Sequence, residues 1–523
     1  MNAITLLAPL ACLLVTATYA LGQPVPQIST PPAIAQGAIF EIRLSGGIGP
    51  LSVDANNGFP LRTQLDGISV TVANARIGSM PIDAFVLSTG LMTVQALLPS
   101  RTPLGPTNLK LTVNGMTAGT VFNVVPRKFT FLRHRVGDDW WPQDRGSASQ
   151  VASAGEWSVN LLTRPAHPGQ VLVLWGTGLG AVAGDEQSGP LPTDLRPPDL
   201  EVIVGRHPVT IFYAGRSGCC AGVDQINVEV PTDVEGCFVP VWIRFRNTEE
   251  VDEINLSISQ AGECSDLPHN TLLTFDTVRP LNIGFIDFSS STAVFGPGPY
   301  AEAPFGTCRL GGAPAGLEFS YYDFNHGNAG PALNVQTPQA IETWSWDPYI
   351  SGYDAPDSGR RPLIPGRYTV DNGGGGWNIG PFAAAFDLSS ISFQWTNADN
   401  LVLDSPTQGK DFEISWNGGN PQQGFVTIFG EWEYGSDHYP GYTWRGLSFI
   451  CVEDASKGHF TVPSYVWSGL RNNTYPGFYF GNTIYIALDL SVGFQSRSRF
   501  NAPGLDVGLG SHYFVESRNI KFQ

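Results

Sequence analysis

The sequence carries an internal repeat. When the chain of 523 residues is shifted by 132 positions, residues 37–113 lie on residues 169–245 without a gap. Identities between the two copies are few, but turn residues and apolar residues keep one spacing throughout, so that residues 68–72 lie on residues 200–204. A repeat of this kind predicts an array of similar modules rather than one enzyme built around a single pocket.

Composition indicates that these modules are built from strands. The 60 glycines and 41 prolines are about a fifth of the chain, above their usual share. Charged residues make up only 14%, well under the usual quarter. Short strands joined by tight turns need this composition, whereas long helices need more Ala, Leu, Glu and Lys. We predict an all-β fold, and the length suggests three or four domains.

Turn signals and alternating apolar residues divide the chain into segments. A stretch of mixed basic, acidic and aromatic residues without a period connects the two repeated modules. Beyond them the composition shifts toward aromatics, and eight of the thirteen tryptophans lie between Trp344 and Trp467. The predicted segments are a signal peptide at 1–20, a β-sandwich at 24–126, a connector at 127–154, a second β-sandwich at 155–276, a β-rich module at 277–380 and an aromatic-rich β-sandwich at 381–523.

The first 20 residues predict export. They form a short apolar run that ends in small residues at Thr18 and Ala20, the pattern of a cleaved signal peptide, although no Lys or Arg precedes the run. Pro9-Leu10-Ala11 before Cys12 is a poor match to a lipoprotein signal. No later stretch has the eighteen or so apolar residues that a membrane span needs. We therefore expect a secreted or extracytoplasmic chain without a membrane span in its mature form.

The cysteines favour disulfides. Removal of Cys12 leaves six, an even number in a chain bound for an oxidising compartment. Cys219 and Cys220 either bond to each other or each pair with one of Cys237 and Cys264. A zinc site needs C-x2-C pairs, and none is present. The six candidates, whose pairing the sequence leaves open, are Cys219, Cys220, Cys237, Cys264, Cys308 and Cys451.

The charge excludes one class of partner. The chain has a net charge of −17 and a pI near 4.8, and no cluster of Lys and Arg is visible. A protein that binds nucleic acid usually presents a basic face to the phosphates. We expect no nucleic-acid partner and interpret the acidity as a source of solubility.

Several motifs of the second module resemble a known family. They are the turns at 176–180 and 189–192 and the segment 215–227, which reads Gly-Arg-Ser-Gly-Cys-Cys-Ala-Gly-Val-Asp-Gln-Ile-Asn. With 368–377 and 460–463 downstream, they resemble secreted bacterial proteins with tandem IPT/TIG-like modules. The resemblance implies tandem immunoglobulin-like β-sandwich modules, the first being the divergent copy, and an exported location. It implies no activity and no catalytic residue.

The segment 431–444 is the best candidate for a binding site. Two carboxylates two residues apart on a strand share one face, the minimum for acid–base work on a glycoside. The aromatic side chains between and beyond them offer a platform for sugar rings. The alternative is a long hairpin whose aromatics cover the edge of a sandwich. The candidate glycan-binding residues are Glu431, Trp432, Glu433, Tyr434, Tyr439 and Trp444, with Tyr442 beside them.

Other motifs give no support to catalysis, to a cofactor or to a metal. Ser217 does not lie in Gly-x-Ser-x-Gly, and none of the eight histidines forms a metal motif. The glycine run 373–376 lacks the following helix that a phosphate cradle requires. Asp185-Glu186 and Asp138-Asp139 are plausible calcium donors at module edges, but solvated acidic turns are the simpler interpretation.

These observations predict a non-catalytic exported structural or adhesive protein. Its expected partner is a protein or glycan at a cell surface. The alternative is a glycan-binding or polysaccharide-processing accessory protein that uses the aromatic-rich C-terminal half. A hydrolase would need a deep pocket with paired carboxylates, and the sequence offers no sign of one.

Overall fold

The structure is a computed structural model of the chain. It describes residues 27–45, 58–75, 80–90, 92–132, 148–153, 156–160, 164–246, 251–262, 283–289, 304–311, 328–347, 352–354, 363–401, 403, 410–436, 443–466, 484–505 and 507–521.

The first module is a β-sandwich. Its described residues form ten strands: β1 Gln27–Ser29, β2 Ala33–Ala35, β3 Ile39–Ser45, β4 Gln64–Leu65, β5 Ile68–Asn74, β6 Ile82–Asp83, β7 Phe85–Thr89, β8 Thr93–Leu97, β9 Gly105–Val113 and β10 Met116–Val125. One sheet has the order β1-β3-β8-β7 and the other β2-β10-β9-β5-β4, with β6 beside β5. This order matches the two sheets of an immunoglobulin domain. Alternate residues of β5, namely Ile68, Val70 and Val72, are buried between the sheets.

The second module has the same architecture. Its strands are β11 Thr130–Phe131, β12 Ala148–Ser153, β13 Glu156–Val159, β14 Val171–Thr177, β15 Thr193–Asp194, β16 Leu200–Val204, β17 His207–Pro208, β18 Ile211–Arg216, β19 Asp224–Glu229, β20 Gly236–Phe245 and β21 Val251–Ile258. The orders are β13-β12-β14-β19-β18-β15, with β11 beside β14, and β17-β16-β20-β21. The predicted all-β fold of tandem immunoglobulin-like sandwiches is confirmed.

The repeat spacing appears directly in the strands. β3 begins at Ile39 and β14 at Val171, and β5 begins at Ile68 and β16 at Leu200, so both pairs are separated by the repeat length. β3-β8-β7 in the first module corresponds to β14-β19-β18 in the second, and β5-β9-β10 corresponds to β16-β20-β21. The sparse apolar identities therefore mark equivalent strands.

A glycine turn is repeated as well. Gly37 and Gly169 have φ values of +71° and +78°, in the left-handed region that glycine adopts at little cost. The Gly37 N–H donates to the Leu98 carbonyl at 2.9 Å, and the Gly169 N–H donates to the Val230 carbonyl at 2.8 Å. Each turn brings the chain into an equivalent strand, β3 in the first module and β14 in the second, which explains why glycine stands at both positions.

Part of the predicted connector 127–154 belongs to the second module's sheet. β11 pairs with β14 at the place where β1 pairs with β3 in the first module. Phe131 lies opposite Gly176, and Ile28 lies opposite Leu44, the residue that the repeat aligns with Gly176. β12 also pairs with β14, and β13 pairs with β12. The second copy therefore contains a hairpin that the first copy lacks. The exact module boundaries stay a prediction.

The described part of the C-terminal half contains three sheets. Its strands are β22 Ile283–Ser289, β23 Thr307–Gly311, β24 Ala332–Gln336, β25 Ile341–Asp347, β26 Gly352–Asp354, β27 Gly366–Asp371, β28 Ala383–Leu388, β29 Phe393–Trp395, β30 Phe412–Gly418, β31 Gly424–Ser436, β32 Thr443–Asp454, β33 His459–Val462, β34 Ile484–Phe500 and β35 Val507–Lys521, with 3-10 turns at Ala398–Asn400 and Ala455–Lys457. The sheet orders are β22-β35-β34-β31-β32-β23, β26-β25-β24-β27-β28 and β29-β30-β33.

The six-stranded sheet is the platform of this half. Phe494 and Phe500 lie on one face of β34, because they are an even number of residues apart. Phe494 packs in a core with the three-stranded sheet, and Phe500 packs in a core with the five-stranded sheet. β22 and β23 precede residue 380, yet they pair with β35 and β32. Strands of the predicted segments 277–380 and 381–523 thus share one sheet, and the boundary between those segments stays a prediction.

Burial of a histidine in β35 makes the stability of this half depend on pH. His512 is 6% exposed, and desolvation lowers its pKa from 6.5 to about 4. Between these values the unfolded chain binds a proton that the folded chain does not, so stability falls as the pH falls from 6.5 to 4, by up to about 3 kcal/mol. Urea unfolding at several pH values measures this loss.

The matched control is the exposed His459 of β33. We expect His512→Gln to flatten the pH dependence in this window and His459→Gln to leave it unchanged. An unchanged slope in His512→Gln would contradict the assignment.

Candidate functional site

The predicted binding segment 431–444 lies on two neighbouring strands. Residues 431–436 end β31 and Trp444 lies near the start of β32, where Tyr434 pairs with Trp444 and Glu433 with Arg445. The side chains of Trp432, Glu433, Tyr434 and Trp444, and all of Tyr439 and Tyr442, lie outside the described part of the structure. The aromatic platform therefore stays a prediction.

Glu431 has a carboxylate neighbour that the sequence pattern does not reveal. It lies half-buried on β31 directly opposite Asp489 of β34. Residues directly opposite in an antiparallel pair have Cβ atoms about 5 Å apart. The Asn519 amide donates to Asp489 Oδ1 at 2.9 Å. The sequence pairs Glu431 with Glu433, and strand register adds Asp489, 58 residues away along the chain.

Two disulfides are present among the described residues. Cys219 bonds to Cys220, the first of the two alternatives that the sequence leaves open. Cys308 bonds to Cys451 across β23 and β32, where the two residues are directly opposite. The side chain of Cys237, and Cys264 as a whole, lie outside the described part. The expectation of disulfides is thus confirmed for four of the six cysteines.

A buried ion pair of the second module lies beside the Cys219–Cys220 bond, where the second module contacts the first. Arg216 at the end of β18 is 2% exposed, and Asp224 at the start of β19 is fully buried. Arg216 Nε donates to Asp224 Oδ1 at 2.8 Å, and Arg216 Nη1 lies 3.5 Å from Glu186 Oε1. Burial raises the pKa of Asp224, and the positive charge of Arg216 opposes that shift. The Asp224 carboxylate also accepts a bond from the Leu179 N–H at 2.8 Å.

Hydrogen bonds extend this cluster into the first module. Arg216 Nη2 donates to the Gly37 carbonyl at 2.9 Å, across 179 positions of sequence. Glu186 accepts from both the N–H and the hydroxyl of Ser100, at 2.7 and 2.8 Å. The Ile39 N–H donates to Thr177 Oγ1 at 2.8 Å. We call this set of contacts the first joint.

Further contacts between the two modules belong to the first joint. Leu61 and Gln187 form a reciprocal pair, with the Leu61 N–H donating to the Gln187 carbonyl at 2.9 Å and Gln187 Nε2 donating back to the Leu61 carbonyl at 3.0 Å. Gly222, with φ of +69°, lies so close to the first module that a Cβ there would come within 2.6 Å of Leu97 and 2.8 Å of Ile39. A small apolar cluster with Leu61, Phe85 and Leu97 at its centre fills the space beside Ala221.

A second joint connects the second module to the C-terminal half. Trp242 of β20 is fully buried in one apolar core with Ile203, Val251 and residues of the C-terminal sheets. Its ring meets the Tyr465 ring edge-on with centroids 5.0 Å apart. The Arg244 guanidinium lies 5.7 Å from the centre of the same tyrosine ring. The apolar packing of Trp242 is thus central to this joint.

The acidic turn Asp185-Glu186 bonds to neighbouring groups of the protein. Asp185 accepts bonds from the Ser188 hydroxyl and the Gln187 N–H, which lower its pKa. Glu186 is part of the first joint. Asp138 and Asp139 lie outside the described part. Within the described ranges, no group of three or more His, Cys, Asp or Glu side chains has the geometry to hold a metal ion, and no helix is long and apolar enough to cross a membrane.

Sequence reasoning missed the role of Arg216. The motif 215–220 appears there as a polar turn beside a disulfide, which describes Ser217 to Cys220 but not Arg216. One signal was available. The chain has few charged residues, yet an arginine and, eight residues later, an aspartate lie within two apolar strands. Such charges are buried only when they are paired.

Comparison with known proteins identifies no family. No protein-family model matches the chain, and no curated protein matches it. A tetra-tandem repeat from the extending region of a large adhesion protein aligns with 95% of this chain and 100% of its own, at 10% identity and a TM-score of 0.14. The N-terminal four Ig domains of Dscam1 isoform 1.9 align with 96% and 100%, at 10% identity and 0.13.

The plexin A4 extracellular region aligns with 44% of this chain at 13% identity and a TM-score of 0.16, and the alignment spans 18% of the plexin chain. Scores this low carry no argument about function. The strand orders within each module establish the immunoglobulin-like class, and the finer resemblance to IPT/TIG modules stays a prediction.

Proposed function

We propose that this chain is a non-catalytic, exported structural or adhesive protein whose modules are held at fixed angles to one another. The observation that carries the proposal is the buried Arg216 between the two repeated modules. Its partner at a cell surface would be a protein or a glycan. The signal-like residues 1–20 and the two disulfides support an extracytoplasmic location.

The chemistry of the first joint supports a fixed angle. Modules joined by a polar linker move relative to one another by default. Here Arg216 satisfies groups of both modules at once, because it bonds to Asp224 in its own module and to the Gly37 carbonyl in the other. Separation of the modules would leave Ser100 and Glu186 without each other and would expose the apolar cluster around Leu97. A spacer or an adhesive stalk requires this kind of stiffness.

A distance measurement tests the proposal. Val121 in the first module is 62% exposed and Phe212 in the second is 47% exposed, so both accept a label without disturbing a core. Spin labels attached through a non-natural amino acid at these positions leave the cysteines intact. We expect pulsed electron paramagnetic resonance on the mature chain to give one narrow distance distribution. A broad distribution would refute the fixed angle and with it the structural role.

A second candidate function is the binding of glycans by the aromatic-rich C-terminal half. Glu431, Trp432, Glu433, Tyr434, Tyr439 and Trp444 are its proposed residues in the segment 431–444. One further observation favours this candidate: Trp377, in the same half of the chain, is 98% exposed. A glycan array probed with the mature chain tests it, and Trp432→Ala and Trp444→Ala are the variants for the segment.

A further inference from the structure

Trp377 is the most exposed large apolar side chain among the described residues. It is 98% exposed, so both faces of the indole ring are open to solvent. It follows four consecutive glycines in the loop 372–380, between β27 and β28. Single exposed apolar residues are common on protein surfaces. Exposure alone therefore does not assign a binding role to Trp377, and the conformation of its loop is the further evidence needed.

Hydrogen bonds fix the loop. Asn372 is 4% exposed, and its Nδ2 donates to the Ala329 carbonyl at 2.9 Å and to the Gly380 carbonyl at 3.0 Å. Asn372 Oδ1 accepts from the Phe382 N–H at 2.8 Å. Gly376 has no room for a side chain, because a Cβ there would lie 2.2 Å from the Gly330 nitrogen. The loop is built to hold one conformation on either side of Trp377.

A depression lies beside this loop. The Gly380 N–H donates to the Pro503 carbonyl at 2.7 Å, and a Cβ at Gly504 would lie 2.1 Å from the Asn378 carbonyl oxygen. The residue next to Trp377 thus touches the turn 501–505. That turn borders a depression of about 270 Å³, lined by Phe500, Asn501, Ala502, Pro503, Leu505 and Gly508.

The chemistry of these residues selects a class of ligand. Among the described residues, the side chains that line it are apolar apart from the Asn501 amide and none is charged, while backbone N–H and C=O groups add polar surface. The net charge of −17 repels polyanions. Aromatic faces bind apolar C–H surfaces, while amides bond to hydroxyl groups. The volume lies just under the range of about 300–1,000 Å³ for drug-sized ligands, which suits one sugar unit.

We propose that Trp377 and the depression beside the turn 501–505 form a binding site for an uncharged polysaccharide, with one sugar ring stacked on the indole. The proposal rests on the second candidate function, glycan binding, and places that function outside the segment 431–444. A fixed aromatic side chain loses little conformational entropy on binding, because the loop is ordered before the ligand arrives. The proposal is independent of the fixed angle between the modules.

The test is affinity electrophoresis of the mature chain in gels that contain uncharged polysaccharides, such as mixed-linkage β-glucan, dextran, starch and galactomannan, followed by calorimetry on the best ligand. We expect Trp377→Ala to weaken binding by about tenfold or more, as loss of an aromatic anchor does. Trp377→Phe should retain part of the affinity. Because Trp377 packs on nothing in the described structure, its variants should unfold like the parent chain.

Ile341 supplies the matched control. It is 74% exposed on β25 of the same sheet, and Ile341→Ala should leave binding unchanged. Absence of binding to every uncharged polysaccharide would overturn the proposal. Binding that survives Trp377→Ala but is lost in Trp432→Ala would also overturn it and would place the site in the segment 431–444. Binding to phospholipid vesicles and to none of the polysaccharides would likewise overturn the proposal. None of these outcomes bears on the distance distribution between the modules.

Discussion

Replacement of Arg216 by alanine is expected to destabilise the second module and to loosen its contact with the first module. The Asp224 carboxylate, fully buried, would lose its only described cationic partner, and Glu186 would lose a neighbouring charge. An uncompensated buried charge costs about 3–5 kcal/mol. We therefore expect Arg216→Ala to destabilise the second module by about 4 kcal/mol in urea unfolding. The distance distribution between labels at Val121 and Phe212 should broaden at the same time.

Arg196 provides the control for this prediction. It pairs with Asp194 at 2.9 Å, but its side chain is 53% exposed, and exposed pairs contribute about 0–1 kcal/mol. Arg196→Ala should therefore leave both readouts close to those of the parent chain. A double replacement, Arg216→Met with Asp224→Leu, should recover part of the stability, because it removes both buried charges together. Equal effects of Arg216→Ala and Arg196→Ala would contradict the assigned role.

The repeat allows the two N-terminal sandwiches to be predicted from sequence in some detail. Strand β16 follows β5 at the repeat spacing, and Gly169 repeats the backbone turn of Gly37. Such features are local, because alternation and turn chemistry act over a few residues. The inserted hairpin β12–β13 shows the limit, since its segment has no period and yet forms strands.

The first joint could not be predicted, because its contacts connect distant parts of the chain. The bond from Arg216 to the Gly37 carbonyl spans 179 positions, and no local pattern in either stretch indicates it. The same holds in the C-terminal half, where β22 lies parallel to β35 at the far end of the sequence. Pairing of this kind is decided by the packing of whole sheets. For the candidate site, the segment 431–444 was visible from its residue types, whereas Asp489 required the strand register.

Loss of the Cys308–Cys451 disulfide is expected to have the largest effect on the C-terminal half. The bond closes a loop of 143 positions, and a loop of that size contributes about 5 kcal/mol by restricting the unfolded chain. It also ties β23, the edge strand of the six-stranded sheet, to β32. Cys308→Ala with Cys451→Ala should therefore lower the free energy of unfolding by about that amount. Amide hydrogen exchange should show the earliest loss of protection at 307–311.

The Cys219–Cys220 bond is the control within the same chain. It differs from the Cys308–Cys451 bond in the loop that it closes and in burial, since Cys308 and Cys451 are fully buried. The sequence separation of Cys219 and Cys220 is 1, so their bond restricts the unfolded chain very little, and both of these cysteines are exposed. Cys219→Ala with Cys220→Ala should cost about 1 kcal/mol or less. If the two double replacements cost the same, loop closure is not the source of the stabilisation. If the long-range pair costs little and 307–311 stays protected, packing of β23 against β32 holds the edge strand without the bond.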